Sequence, residues 1–325
     1  MAQQHIISLE EHFITPDFET NIKTGDTPQA KAIRQIIDRC ENLGDSRIAE
    51  MDAAGIDRQI ISLTAPATEN MAPEKAVPLA KKTNNLLGKA VLQYPERFGG
   101  FATLPTSAPK EAAAELERTV SEYGFSGALI NGTSQGRYMD DPDFDPIFAK
   151  AESLNVPIYL HPGLPSKTVV DACYRGNFSE QVTAQFSSAG FGWHIETAIH
   201  VIHLILGGVF DRHPNLKLVT GHLGEGLMFA VQRLDTLLPP EISKLQHPVS
   251  YYLQNNIYYT ISGYNSEPQF LELYSQVGAD HILFSVDYPY VSMADTRKFV
   301  ENLPIDPNSK NKIFATNAEK LLNRN

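Results

Sequence analysis

Near its start the chain reads Leu9-Glu10-Glu11-His12-Phe13, directly behind an apolar stretch suited to a strand. Residues i and i+2 of a strand share a face, so Glu10 and His12 point the same way and Glu11 the other. A carboxylate oxygen and a ring nitrogen converging on one point can hold a metal ion; they can equally be a cap and a surface histidine. Glu11 is expected in a surface or ion-pair role. Later apolar runs also end in polar groups: Asn131 in "SGALIN", His161 in "YLHPG", His222 in "TGHLGEG" and Asp287 in "FSVDYPY". Glu10, His12, His161 and Asp287 together offer two nitrogens and two carboxylates. That donor set suits Zn²⁺ or Mn²⁺ and leaves room for water and substrate. His222 and Glu225 stand three apart at a strand-to-helix turn, so the glutamate can orient or charge the imidazole. Phe13 and Tyr288, each next to a ligand in sequence, are expected at the substrate, although "DYPY" reads equally well as a plain loop turn.

The elements that must carry these groups recur regularly. Eight apolar runs, at 5–12, 58–63, 98–104, 126–131, 156–161, 216–222, 256–262 and 281–287, read as strands. Near-continuous apolar runs suit parallel strands covered on both faces. Helical patterns lie between them, among them "SRIAEMDAAGI", "EKAVPLAKKTNNLLGKAVLQYP", "APKEAAAELERTVSEYGF", "DPIFAKAESLN" and "WHIETAIHVIHLILGGVF". Eight alternations of strand and helix predict an α/β fold: a closed (β/α)8 barrel forming one domain over 1–325, with an open doubly wound sheet as the alternative. Barrel enzymes place their chemistry at the C-terminal ends of the strands, where the groups above fall. Two stretches, 14–45 and 162–192, read as long loops over that end.

Other features read more plainly. His194, Glu196, His200 and His203 lie at helical spacing without forming H-E-x-x-H, and read as helix packing. Trp193, the only tryptophan, also reads as packing. "GHLGEG" is out of register with a nucleotide-binding glycine loop. A formal net charge of −11 with no basic cluster argues against a nucleic-acid partner. The two cysteines, Cys40 and Cys173, form no C-x-x-C, which predicts a reduced, cytoplasmic protein. Neither a signal peptide nor a membrane-spanning run is read in the chain.

With these residues laid out, the chain resembles the amidohydrolase superfamily, and within it the branch of aminocarboxymuconate-semialdehyde decarboxylase and the decarboxylases of γ-resorcylate and 2,3-dihydroxybenzoate. The resemblance runs nearly end to end. It rests on "LEEHF", "APA" at 65–67, "ERFGGFATLP", "GFSGALING", "YLHP", "GVFDRHPNLKLVTGHLGEG", "GADHILFSVDYPY" and "IFATNAEKLL". It implies Glu10, His12, His161 and Asp287 as ligands of one divalent ion (Mn²⁺, Zn²⁺ or Mg²⁺), with no organic cofactor. It implies His222 and Glu225 as a catalytic pair, Asn131 near the substrate, and Arg233 near the pocket, serving this or a neighbouring subunit of a homodimer or homotetramer. The activity implied is a reversible, non-oxidative decarboxylation of a small aromatic acid with an ortho hydroxyl. In it Asp287 gives a proton to the ring carbon that bears the carboxylate. A metal-dependent hydrolase of a small lactone or amide is the alternative. Relatives that act on hydroxybenzoates often read "HPRNP" where this chain has "HPGLP", with Gly163 and Leu164, and its 165–192 stretch lacks their tryptophan-rich segment. Both differences border the substrate.

Overall fold

The β-branched and apolar runs become strands in a computed structural model, which describes residues 4–18 and 28–322. These are β1 (Ile7–Phe13), β2 (Arg58–Leu63), β3 (Phe98–Gly100), β4 (Ala102–Thr103), β5 (Ala128–Asn131), β6 (Ile158–His161), β7 (Leu218–Thr220), β8 (Ile257–Thr260) and β9 (Ile282–Leu283). All pair in parallel, in a three-stranded sheet ordered β1-β2-β3 and a six-stranded sheet ordered β4 to β9. The run 98–104 is broken at Phe101. Its N–H returns to Ile61 O at 2.9 Å, while the next, Ala102 N–H, crosses to Gly127 O at 2.8 Å. One run thus serves both sheets. Beyond β9 the chain meets β1 again: His12 N–H reaches Tyr288 O at 2.7 Å, and Glu11 and Tyr288 form a parallel bridge.

Helices cover the strands where their apolar spacing predicts them. Pro109–Tyr123 opens with proline and ends at Gly124, whose φ of 64° closes the last turn. The 14–45 stretch is not all loop, although 19–27 lies outside the described residues. Pro28–Glu41 is a helix, and Ile37 and Cys40, three apart, are buried. The 162–192 stretch likewise holds a helix, Glu180–Ser187, started by the Ser179 hydroxyl accepting from Val182 N–H.

One apolar cluster lies among the strands, formed by Ile7, Leu9, Ile60, Phe101, Leu129, Tyr159, Val219 and Leu283 with Ala315, Ala318, Leu321 and Leu322. The Tyr159 hydroxyl bonds Glu10, which puts Glu10 on the same side as Leu9. The pairing register of β1 shifts between Ser8 and Glu11, and strict alternation is interrupted there. Glu11 departs from the surface role expected of it. It is wholly buried, because the chain around 286–288 and helix Asp45–Ala54, through Arg47, cover the outer side of β1. Burial pushes its carboxyl up to about 8, against hydrogen bonds from Ser8 and Val286 and the charge of Arg47.

Candidate metal centre and active site

Three strand-derived segments bring the expected ligands together. Glu10 and His12 stand on β1, His161 ends β6, and Asp287 follows β9. Ligand atoms of Glu10, His12 and His161 all lie within 4.8 Å of one another, as do those of Glu10, His222 and Asp287. Three closest approaches define the centre: His12 Nε2 to Asp287 Oδ1 at 3.2 Å, His161 Nε2 to Glu10 Oε1 at 3.3 Å and His222 Nε2 to Glu10 Oε1 at 3.5 Å.

Hydrogen positions decide what these approaches mean. His161 Nδ1 lies 2.8 Å from the Pro162 carbonyl, which can only accept, so Nδ1 carries a hydrogen and Nε2 is the nitrogen turned to Glu10. It faces Glu10 Oε1, a buried oxygen with no hydrogen-bond partner among the described residues. The other oxygen, Oε2, accepts from the hydroxyls of Tyr159, Thr260 and Ser262. With His161 neutral, its Nε2 presents a lone pair to Glu10 Oε1, an arrangement that a cation between them would satisfy. The donors present fit a divalent ion.

His222 enters from a turn of unusual backbone. After β7 the chain passes through His222, Leu223 and Glu225 at φ of 50°, 56° and 58°. Positive φ in residues with a Cβ is uncommon, and such strain gathers at functional sites. Asp287 shares it, at φ 75°. The turn aims His222 and Glu225 at the same point, and Nδ1 donates to Glu225 Oε1 at 2.8 Å. Glycines make the room. A Cβ on Gly221 would lie 2.7 Å from Glu10 Oε2, and one on Gly263, itself at φ 71°, 2.9 Å from the His222 ring. Burial opposes charge on His222, but Glu225 and Glu10 outweigh it and lift the imidazole to about 10. Burial also pushes Glu10 and Glu225 up; the histidines around them more than reverse this and hold both below the usual carboxylate range.

Above the centre lies a cavity of about 340 Å³, large enough for a single-ring ligand. Its walls include His12, His161, His222 and Asp287, and also Trp193, His194, Tyr264 and Tyr290. His194 was read as helix packing; in the structure its Nδ1 lies 2.6 Å from Glu225 Oε2, so one carboxylate serves two imidazoles. Trp193 lines the cavity with a buried indole N–H that has no partner among the described residues. Their one sequence signal was position, at the head of the helix that follows the long stretch after His161.

Other expected substrate residues lie elsewhere. Phe13 is in the apolar core with no exposed surface. Tyr288 is stacked between Arg39 and Arg47, with ring centroid distances of 4.6 and 4.5 Å. Phe13 follows the inward-facing His12 in its strand and therefore points outward; Tyr290, two residues beyond Tyr288, lines the cavity. Asn131 ends β5, but its N–H and Nδ2 both donate to buried Glu69, at 2.8 and 3.3 Å. Arg233 is exposed on helix Val231–Leu237 and does not line the cavity.

Comparison with known proteins places this geometry. The family model for amidohydrolases matches residues 32–324. The chain belongs to the amidohydrolase family. Among its relatives is the γ-resorcylate decarboxylase of Polaromonas sp. strain JS666, 35% identical over 98% of each chain. A solved dihydroxybenzoic acid decarboxylase from Polaromonas sp. JS666, with bound manganese and the inhibitor 2-nitroresorcinol, superposes with a TM-score of 0.91. It is 33% identical, over 98% of this chain and 97% of that one. A 2,6-dihydroxybenzoate decarboxylase solved with 2,6-dihydroxybenzoate gives a TM-score of 0.87 at 31% identity, over 98% of this chain and 99% of that one. This amidohydrolase therefore shares its fold, over nearly all its length, with enzymes that decarboxylate hydroxylated benzoates.

Proposed function

We propose that the chain is a metal-dependent, non-oxidative decarboxylase of a small aromatic acid carrying a hydroxyl ortho to the carboxylate. The observation that carries this reading is the convergence of ligand atoms of Glu10, His12, His161 and Asp287, beneath a cavity walled by Trp193, Tyr264 and Tyr290. Glu10, His12, His161 and Asp287 would hold one divalent ion, Mn²⁺ being the one found in a relative. When bound, the ion supplies Lewis-acid polarisation and a template for the substrate carboxylate and its neighbouring hydroxyl oxygen.

The residues of the chain do the rest. His222 keeps its Nδ1 hydrogen on Glu225, which leaves Nε2 to take or hold the proton of a substrate hydroxyl. The aromatic walls orient the ring and exclude water. Asp287 delivers a proton to the ring carbon bearing the carboxylate. The carbon–carboxylate bond then breaks, its electron pair returns to the ring, and CO₂ leaves. One proton is gained for each CO₂ lost, so no oxidant or organic cofactor is required, and the reverse reaction carboxylates a phenol.

The parallel strand order, the shared run at Phe101 and the His12–Tyr288 contact support a (β/α)8 barrel built from the whole chain as one domain. A homodimer or homotetramer accords with Phe229, Leu237 and Ile242, which are 89, 53 and 63% exposed; Arg233 stands on that side, where it would reach a neighbouring subunit. Free Cys40 and Cys173 accord with a reducing, cytoplasmic setting. Among the described residues no helix is long and apolar enough to cross a membrane. The test is incubation of the metal-loaded protein with a panel of hydroxybenzoates, followed for CO₂ and phenol. Inertness toward every ortho-hydroxy acid, with hydrolysis of lactones or amides, would replace this reading with a hydrolase.

A further inference from the structure

Glu10 faces the metal centre. Its neighbour Glu11 faces away and is still wholly buried. A carboxyl group removed from water has to find hydrogen-bond partners inside the protein. Two of them flank Asp287. Val286 N–H donates to Glu11 Oε1 at 3.0 Å, and Tyr288 N–H to Oε2 at 3.3 Å. The N–H between them, that of Asp287 itself, goes to the Glu10 carbonyl at 3.0 Å. Three consecutive N–H groups around Asp287 therefore all end on the dipeptide Glu10–Glu11. The Ser8 hydroxyl and Gln59 Nε2, the latter at 3.2 Å, complete the surroundings of the Glu11 carboxyl. From the outer side Arg47, fully buried, donates to the carbonyl of the ligand His12 and lies over the Tyr288 ring.

This clamp stands where the backbone needs one. Asp287 is at φ 75°, in the left-handed region that residues with a Cβ avoid. Such a conformation persists when its surroundings over-determine it. Val286 and Tyr288 are each tied to a different oxygen of one rigidly buried group, so the peptide units on both sides of Asp287 cannot turn independently.

We propose that Glu11 is a positioning residue for Asp287: its two oxygens fix the backbone on either side of that residue and so set the direction from which the Asp287 carboxylate meets the metal and the substrate ring. This rests on the reading of Asp287 as ligand and proton donor. The doubled carboxylate of "LEEH" is thereby divided into two tasks, Glu10 binding and Glu11 aiming.

The experiment uses the protein loaded with Co²⁺, whose visible absorption reports ligand geometry, and the variant Glu11→Gln. With or without a proton, a carboxyl keeps acceptor capacity on two oxygens; an amide has one, and its NH₂ would oppose a backbone N–H. Glu11→Gln should bind cobalt in the same ratio as the unsubstituted protein but with a changed absorption spectrum. On the hydroxybenzoate that the unsubstituted protein turns over best, kcat should fall by about ten- to a hundredfold, as expected for misplacement of a reacting group by about an ångström, with KM little changed. A variant with lowered thermal stability but an unchanged spectrum and kcat would overturn the proposal, because it would make Glu11 a strut and nothing more. If Glu11→Gln does not fold, Glu11→Asp serves. It keeps both oxygens but withdraws them by one methylene, and the same two outcomes decide. If the unsubstituted protein turns over no hydroxybenzoate, the decarboxylase reading fails, while the cobalt spectrum still decides the role of Glu11.

Discussion

Glu225 is the carboxylate on which two imidazoles depend, and its replacement by glutamine is a sharp test of the site. In the structure Oε1 accepts from His222 Nδ1 at 2.8 Å and Oε2 lies 2.6 Å from His194 Nδ1, with Glu225 and His222 buried and His194 at the cavity wall. Glutamine fits the same space but has one acceptor. Whichever imidazole meets the NH₂ end has to turn its ring or move its hydrogen to the other nitrogen. If that imidazole is His222, the nitrogen facing the substrate changes its proton affinity or its direction. A hydrogen bond to a charged group contributes about 1.5–3 kcal/mol, and about 1.4 kcal/mol corresponds to tenfold in rate. Glu225→Gln should therefore lower kcat by roughly ten- to a hundredfold or slightly more. His222→Asn, which removes the imidazole outright, should cost about a hundredfold or more. Neither residue is among the four proposed ligands, so metal content should stay near that of the unsubstituted protein. Because the two act as one unit, the double variant should be little worse than the worse single one. Initial rates of phenol release, with metal analysis of each preparation, give all the quantities. Penalties that multiply in the double variant, or a Glu225→Gln enzyme of undiminished kcat, would refute the coupling.

Other expectations follow from the same geometry. His161→Ala removes the nitrogen facing the orphaned Glu10 oxygen and should lose most of its bound ion; full occupancy by metal analysis would sink the ligand assignment. Asp287→Asn should abolish turnover, since an amide cannot deliver the proton. In D₂O the phenol formed should carry one deuterium at the carbon that lost CO₂, and its absence by mass spectrometry would exclude a solvent-exchanged acid at that step. Benzoate and meta-hydroxybenzoate should be inert even where they bind, because neither places a hydroxyl oxygen next to the carboxylate; turnover of either would remove the ortho-hydroxyl requirement.

Much of the strand framework is legible in local sequence, and the reason is physical. Strands covered on both faces have to be apolar along their length, so runs such as "RQIISL" and "PIYLH" stand out, and the ordered segments fall inside the expected runs or within a residue of them. The break at Phe101 is not legible, because it reflects where neighbouring strands sit and not what 98–104 contains. Helix Pro28–Glu41 is polar enough, and helix Glu180–Ser187 short enough, to pass for loop. At the site, the residues at the strand ends could be collected from sequence because the strand itself brings them to one rim. His194 and Trp193 could not, since their place depends on how a helix about thirty residues beyond His161 folds back over the cavity.

The misplacement of Phe13 and Tyr288 bears on how the site is built. Sequence adjacency to a ligand attracts a functional reading, but in an extended chain adjacency means the opposite face. Glu10 and His12 face the centre, so Glu11 and Phe13 do not; Tyr288, beyond the left-handed backbone of Asp287, lies against Arg39 and Arg47. In a surface strand the outward residues would meet water. Here both faces are covered, and the outward residues become the support of the inward ones: Phe13 packs the core, Tyr288 takes two guanidinium groups on its ring, and Glu11 ties down the backbone of Asp287. A proposed ligand backed by a buried layer has little freedom to drift. That lets an aspartate at a strained φ of 75° keep the direction its chemistry needs.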